Sequence, residues 1–242
     1  MAEAFLENTN ENSEKRRGLS GNALKIIAMV TMLIDHIGAV FLTWGEPACM
    51  LMRGIGRLAF PIFAFLCAEG LARSKNLGKY MLRLFVFALI SEPFYDLTFY
   101  GSLWYTESQN VLFTFLLAAI PVYILNLSPG TGARVGAIFA GAAVVAVSAI
   151  FSADYGTNGV LLVWIYYAFR KYPVGRHIPA AVFMLWAWSY GFRSLNIQLF
   201  AALAVLPMLA YTGRKGSGLP KLAGYVFYPG HLLLLYLLTL FV

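Results

Sequence analysis

An aspartate and a histidine, Asp35 and His36, stand side by side inside the apolar run LKIIAMVTMLIDHIGAVFLT, residues 24–43. Ionisable groups in such a run are costly unless paired or solvated, so they point first to function. Neighbouring helical residues point about 100° apart, which lets one of the two meet a counter-ion while the other meets a cavity. Arg53 and Arg57, one helical turn apart at the start of the next apolar segment, are the natural counter-ions for Asp35. His36 is then left as a neutral imidazole that can take or give a proton near neutral pH. The plainer alternative is an Asp–Arg pair that only locks two helices together. A second histidine in an apolar run, His231 in YPGHLLLLY, either belongs to the same chemistry or bonds a nearby carbonyl.

Further polar groups follow. Pro61 is expected to kink the second segment and free the carbonyl of Arg57 four residues earlier. Glu69 stands near the other end of that segment, just ahead of a basic turn holding Arg73, Lys75, Lys79 and Arg83. Clustered cations of this kind suit the phosphates of a nucleotide-like donor, although a topology signal accounts for them equally well. Glu92 and Asp96, one turn apart, resemble a paired-carboxylate site in spacing, yet an Arg53 or Arg193 partner is the better reading. Gln109, Asn110 and Thr114 can line a mouth that receives a polar acceptor, and the turn-rich stretch FSADYGTNGV, with Asp154 in it, can help close that mouth. There is no nucleotide P-loop, G-x-S-x-G, H-E-x-x-H or S-x-x-K motif. That argues against an ATPase, a serine hydrolase and a zinc protease, and no metal is expected.

The elements that carry these residues are apolar to an unusual degree. Of 242 residues 60% are hydrophobic and 12% charged, about half the charged fraction of an ordinary soluble domain. The apolar residues fall in nine blocks, near 24–43, 57–72, 80–99, 110–126, 134–151, 156–170, 177–192, 196–211 and 224–242. With no water to satisfy the backbone these read as helices. The predicted fold is all-α, a polytopic transmembrane bundle of about nine spans, forming one domain over 24–242 behind a polar tail, 1–23. Fifteen of the 18 Lys and Arg residues then flank one side, leaving Arg53, Arg57 and Arg193 on the other. By the positive-inside rule the N-terminus is cytoplasmic and the C-terminus outside. The net charge of +7 is thereby a topology signal, and no nucleic-acid partner is implied. The two cysteines, Cys49 and Cys67, lack metal-ligand spacing, and the setting of Cys67 in an apolar run argues against a disulfide.

The strings LKIIAMVTMLIDHIGAVF and RGIGRLAFPIFAFLCAEGLARSKNLGKYMLRLFVFALISEPFYDL, followed by QNVLFTF, ADYGTNGVLLV and YVFYPGHLLLL, resemble the TraX family of bacterial membrane proteins. The resemblance runs from Leu24 to the C-terminus. It implies a relative of integral membrane acyltransferases that carry a first-span histidine, known in this family for N-terminal acetylation of a pilin subunit. On that footing the chain is an acetyltransferase of the bacterial inner membrane using cytoplasmic acetyl-CoA and acting on an amine or hydroxyl, on a peptide or a small molecule. His36 would be the general base or a transient acyl-imidazole, Asp35 its organiser, and His231 a carbonyl-polarising or proton-relay group. Arg57, Arg53, Glu69, Asn110 and Asp154 would receive the acceptor, and Arg73, Lys75, Lys79 and Arg83 the acyl-CoA. The rival reading is a small transporter or flippase with an Asp/Arg/His relay. An internal duplication, common in transporters, is not apparent.

Overall fold

The computed structural model describes residues 18–128, 130–189, 196–220 and 222–241. Among these the regular structure is helical, with two isolated bridges, Leu19 to Tyr211 and Gln109 to Ala153. In chain order the helices are α1 Gly21–Phe41, α2 Pro47–Gly56, α3 Ala59–Arg73, α4 Leu77–Tyr100, α5 Val111–Leu125, α6 Thr131–Ile150, α7 Gly156–Ala168 and α8 His177–Trp188. A 3-10 segment, Ile197–Ala204, then runs into α9 Val205–Leu209, and α10 Ala223–Thr239 follows. Every apolar block of the sequence thus contains helix. By length and composition three stretches are able to cross a membrane alone: Gly21–Phe41, Pro47–Arg73 and Thr131–Ile150. The others are shorter, or, as in α4, carry charges.

Local signals explain the boundaries. Ser20 caps α1 by accepting from the Ala23 N–H at 3.1 Å, and Asn76 caps α4 by accepting from the Lys79 N–H at 2.8 Å. Gly101, at φ 66, ends α4 in the left-handed conformation that glycine adopts without a Cβ penalty. Pro47 opens α2 at a first-turn position, where its missing N–H costs nothing. The second segment therefore starts ten residues earlier than the sequence suggested. It breaks at Arg57 and Leu58 rather than kinking at Pro61. Pro61 sits in the first turn of α3, among the N–H groups that have no intrahelical partner in any case.

Polarity is turned inside out. Ile138, Phe139 and Ile150 of α6 are 71%, 73% and 84% exposed, and many other large apolar side chains face outward. Asp35, Arg57, Glu69, Asp96, Asn110, Arg176, His177 and His231 are buried. An aqueous surface rarely carries so much contiguous apolar area, whereas a bilayer requires it. The chain is a membrane protein.

Two ends can be distinguished. At one, Leu19 N–H donates to the Ala210 carbonyl (2.7 Å), Gly21 N–H to that of Arg214 (2.8 Å), and the Asn22 amide to that of Gly216 (3.0 Å). Residues 18–23, expected to belong to a polar tail, thus form a clasp and a cap. The rest of the tail, with Lys15, Arg16 and Arg17, lies outside the described residues, as do Arg193 and Lys221. The C-terminus of α3 and the start of α8 join this basic end. At the other end, the loop before α5 is bridged to the turn before α7.

Candidate active site

Asp35, on α1, is met by both arginines. Arg53 Nη1 donates to Oδ2 at 2.8 Å, and Arg57 Nη2 reaches Oδ1 and Oδ2 at 2.7 Å each. Arg57 also donates from Nε to the Arg53 backbone carbonyl at 3.2 Å, which anchors its guanidinium to the preceding turn. Such charge-assisted bonds are the strong kind, and they join α1 to the break between α2 and α3. The approach depends on Gly56: a Cβ there would lie 2.1 Å from Asp35 Cβ.

His36, one residue on, turns to a different partner. Its Nδ1 lies 2.8 Å from His231 Nε2, and His231 Nδ1 lies 2.9 Å from the Phe227 carbonyl oxygen. A carbonyl only accepts, so His231 Nδ1 carries the proton. In a neutral ring Nε2 then presents a lone pair. His36 Nδ1–H must donate to it, and the lone pair of His36 Nε2 is left over as a base. Aromatic contacts hold both rings, Phe99 edge-on to His36 at 5.0 Å and Phe227 stacked on His231 at 4.7 Å.

His36, Asp35, Arg53 and Arg57 line a cavity of about 330 Å³, closed by Phe60, Tyr95, Asp154, Tyr155 and Tyr228 among others. His231 supports it from behind. The turn that brings Asp154 is pinned: its N–H donates to the Gln109 carbonyl at 2.8 Å, and its own carbonyl accepts a short bond from the Thr114 hydroxyl. Tyr155 next to it holds a left-handed φ of 62, uncommon for a non-glycine residue, with its ring stacked on Phe60 at 3.7 Å. Burial in this wall pushes the Asp154 carboxyl up to about 6, with Arg57 pulling the other way.

A family model described as "TraX protein" matches residues 20–239. The chain belongs to the TraX family. It is 32% identical to a Dichelobacter nodosus relative named "Probable fimbrial assembly protein FimC, serogroup H1", over 88% of this chain and 92% of that one. No solved structure matches it.

In this TraX-family chain several expected site residues lie elsewhere. Asn110 is fully buried and spent on structure. Its side-chain oxygen caps α5 through the Leu112 N–H (3.0 Å), and its amide donates to the Ala88 carbonyl (2.9 Å) and, by a short bond, to Glu92. It does not line the cavity, so its assignment to acceptor binding is withdrawn. The signal for a cap was there, an Asn directly before an apolar run. Glu92 and Asp96 likewise have no arginine partner among the described residues. Glu92 accepts from Asn110, and Asp96 from the Tyr105 N–H at 2.9 Å.

Glu69 belongs to the basic end, far along α3 from Arg57. It accepts from Arg176 (2.6 Å), Arg73 (2.6 Å) and the Tyr211 hydroxyl (3.1 Å). With three partners it ties α3 to α8 and to the segment after α9, and it does not join the acceptor cavity. Arg176, by sequence one of the fifteen charges of the basic side, is here a buried partner of Glu69. Arg73 is spent on Glu69 and on the Gly213 carbonyl, and Lys75 and Lys79 stay exposed. Of the four expected donor-binding cations Arg83 lines a second cavity. This second cavity, about 740 Å³, also receives Lys25, Lys215, Asn22 and Tyr225. Lys25 and Lys215 lie 190 residues apart in the chain, and no local spacing could have paired them.

Proposed function

We propose that this TraX-family chain is a multi-pass acyltransferase of the bacterial inner membrane, taking an acetyl group from cytoplasmic acetyl-CoA. The acceptor is an amine or hydroxyl on the far side, of which a peptide N-terminus on an exported subunit is the class that best matches the relative's fimbrial name. The observation that carries this reading is the chain Phe227 carbonyl, His231, His36, which leaves a histidine lone pair beside a cavity. The nine-crossing topology, with the basic end cytoplasmic, belongs to the same proposal. It puts the Lys25, Arg83 and Lys215 cavity where an anionic donor would arrive.

In the proposed reaction His36 Nε2 removes the proton from the acceptor nitrogen or oxygen as that atom attacks the thioester carbonyl. The C–S bond breaks, the thiol leaves with a proton returned through His36, and the acyl group stays on the acceptor. Asp35 does not touch the reacting atoms. It gathers Arg53 and Arg57, whose remaining N–H groups favour the oxyanion that develops on the carbonyl. Asp154, at the cavity wall, suits an acceptor amine.

The test is acetyl-CoA binding and hydrolysis by the protein purified into nanodiscs. Wild type is expected to bind and slowly hydrolyse the thioester, and His36→Ala to lose about 10²- to 10⁴-fold in turnover. A wild-type protein that neither binds nor turns over any acyl-CoA would overturn the enzyme reading and leave the relay transporter.

A further inference from the structure

The two cavities share one lining residue, Phe63. A single stripe of α3 and the break before it explains why. Gly56, Ala59 and Phe60 line the His36 cavity, while Leu66, Cys67 and Gly70 line the basic one. These positions repeat at three and four residues, one face of a helix, and Phe63 stands at the middle of the series. Neighbouring helices contribute to both cavities as well. On α5 the change falls between Val111 and Leu112, and on α10 between Tyr225 and Tyr228. The half-buried ring of Phe63 is therefore common to both chambers and lies where they approach.

From Lys25 to His36 is eleven residues of α1, about 16 Å at 1.5 Å per residue. For a molecule with an anionic head among Lys25, Arg83 and Lys215, a thin arm passed beside the shared Phe63 is the route to His36 that the two lining sets suggest. The receiving chamber, about 330 Å³, is at the small end for a ligand site, and it must also hold the acceptor. We propose that Phe63 is a specificity-determining partition, admitting the thioester end of a short acyl donor and excluding longer acyl chains. The substrate in this statement rests on the acyltransferase reading. The partition itself rests on the two lining sets.

Two measurements test it. The first is the ratio of kcat/KM for acetyl-CoA over octanoyl-CoA in nanodiscs, for wild type, Phe63→Leu and Phe63→Ala. Wild type is expected to prefer acetyl at least tenfold, with the preference falling about tenfold in Phe63→Ala and less in Phe63→Leu. An unchanged ratio in folded Phe63 variants overturns the filter. The second needs no turnover. In a Cys49→Ser background Cys67, on the basic-cavity side, is the sole thiol. A membrane-impermeant thiol reagent wider than an acetyl thioester arm, applied to sealed vesicles, should label it from one face only, and from both faces once Phe63 is alanine. Labelling from both faces in the Phe63-intact protein, or from one face in both proteins, overturns the partition. If no acyl-CoA is turned over but the labelling opens as expected, the partition stands and the acyl filter falls with the enzyme reading.

Discussion

At position 231 the two ring nitrogens have opposite duties, one donating to the Phe227 carbonyl and the other accepting from His36. Glutamine can imitate both, since its amide donates from nitrogen and accepts at oxygen, whereas alanine can do neither. On the proposed acyltransferase reading His231→Gln should therefore keep more of the turnover than His231→Ala, with the alanine variant down by about 10²-fold. Equal losses would reduce His231 to packing. The Asp35 cluster predicts a different asymmetry. Arg57 is buried and reaches both carboxylate oxygens, while Arg53 is more exposed and reaches one. Arg57→Ala should cost about 3 kcal/mol of stability, and Arg53→Ala clearly less, compared by thermal unfolding in detergent. Asp154 adds a pH dependence. Its carboxyl is raised from 3.8 to about 6, so folding favours the protonated form. The stability this contributes is complete below about pH 4 and is lost as pH rises through 6, by at most about 3 kcal/mol. The thermal midpoint of wild type should fall relative to Asp154→Asn between pH 4 and 7, and a constant offset would contradict it. At this scale the Asp35–arginine pair was legible in the sequence, because a carboxylate in an apolar run must find a cation and two stood within reach. Asn110 was half legible: an Asn before an apolar run signals the cap, but not the bonds to Ala88 and Glu92 that use up its amide.

Between elements the decisive contact is α1 against the break that separates α2 from α3. Arg53 and Arg57 reach Asp35 because that break comes in close at Gly56, and it comes in close because position 56 has no side chain. Gly56→Ala should push the elements apart, cost about 1–3 kcal/mol as an overpacked core does, and abolish the turnover that the acyltransferase proposal expects. A variant with wild-type activity would show that the approach is dispensable. The helical blocks themselves were legible from their apolar length. Their breaks were less so, since a proline read as a kink at Pro61 proved harmless in a first turn. The block at 196–211 hid another departure. Eight residues of 3-10 helix, rising about 2.0 Å each, span more distance than the same residues in an α-helix. That lengthens a segment otherwise short for a bilayer.

Over the described residues much of the outside is apolar while Asp35, Arg57, Glu69 and Arg176 are buried, as the composition foretold for a membrane protein. The positive-inside count goes further and predicts a C-terminus on the face opposite the basic end. A tag after Val242 should be labelled from outside intact cells, and labelling only after permeabilisation would shift the crossing count by one. The two cavities could not be read in advance. Lys25, Arg83 and Lys215 come from three distant parts of the chain, and a count of charges per loop cannot tell a cation that lines a chamber from one that marks topology. The same count concealed Arg176, whose partner Glu69 lies 107 residues away.

His36 and His231 are 195 residues apart and belong to α1 and α10. In biosynthesis that distance becomes time. The first helix enters the membrane early and must hold an unsupported imidazole while the intervening elements are made. Only when α10 arrives does the Phe227 carbonyl set the proton order of both rings. A partly synthesised chain thus carries His36 without its partner, and the pair is completed only when α10 arrives.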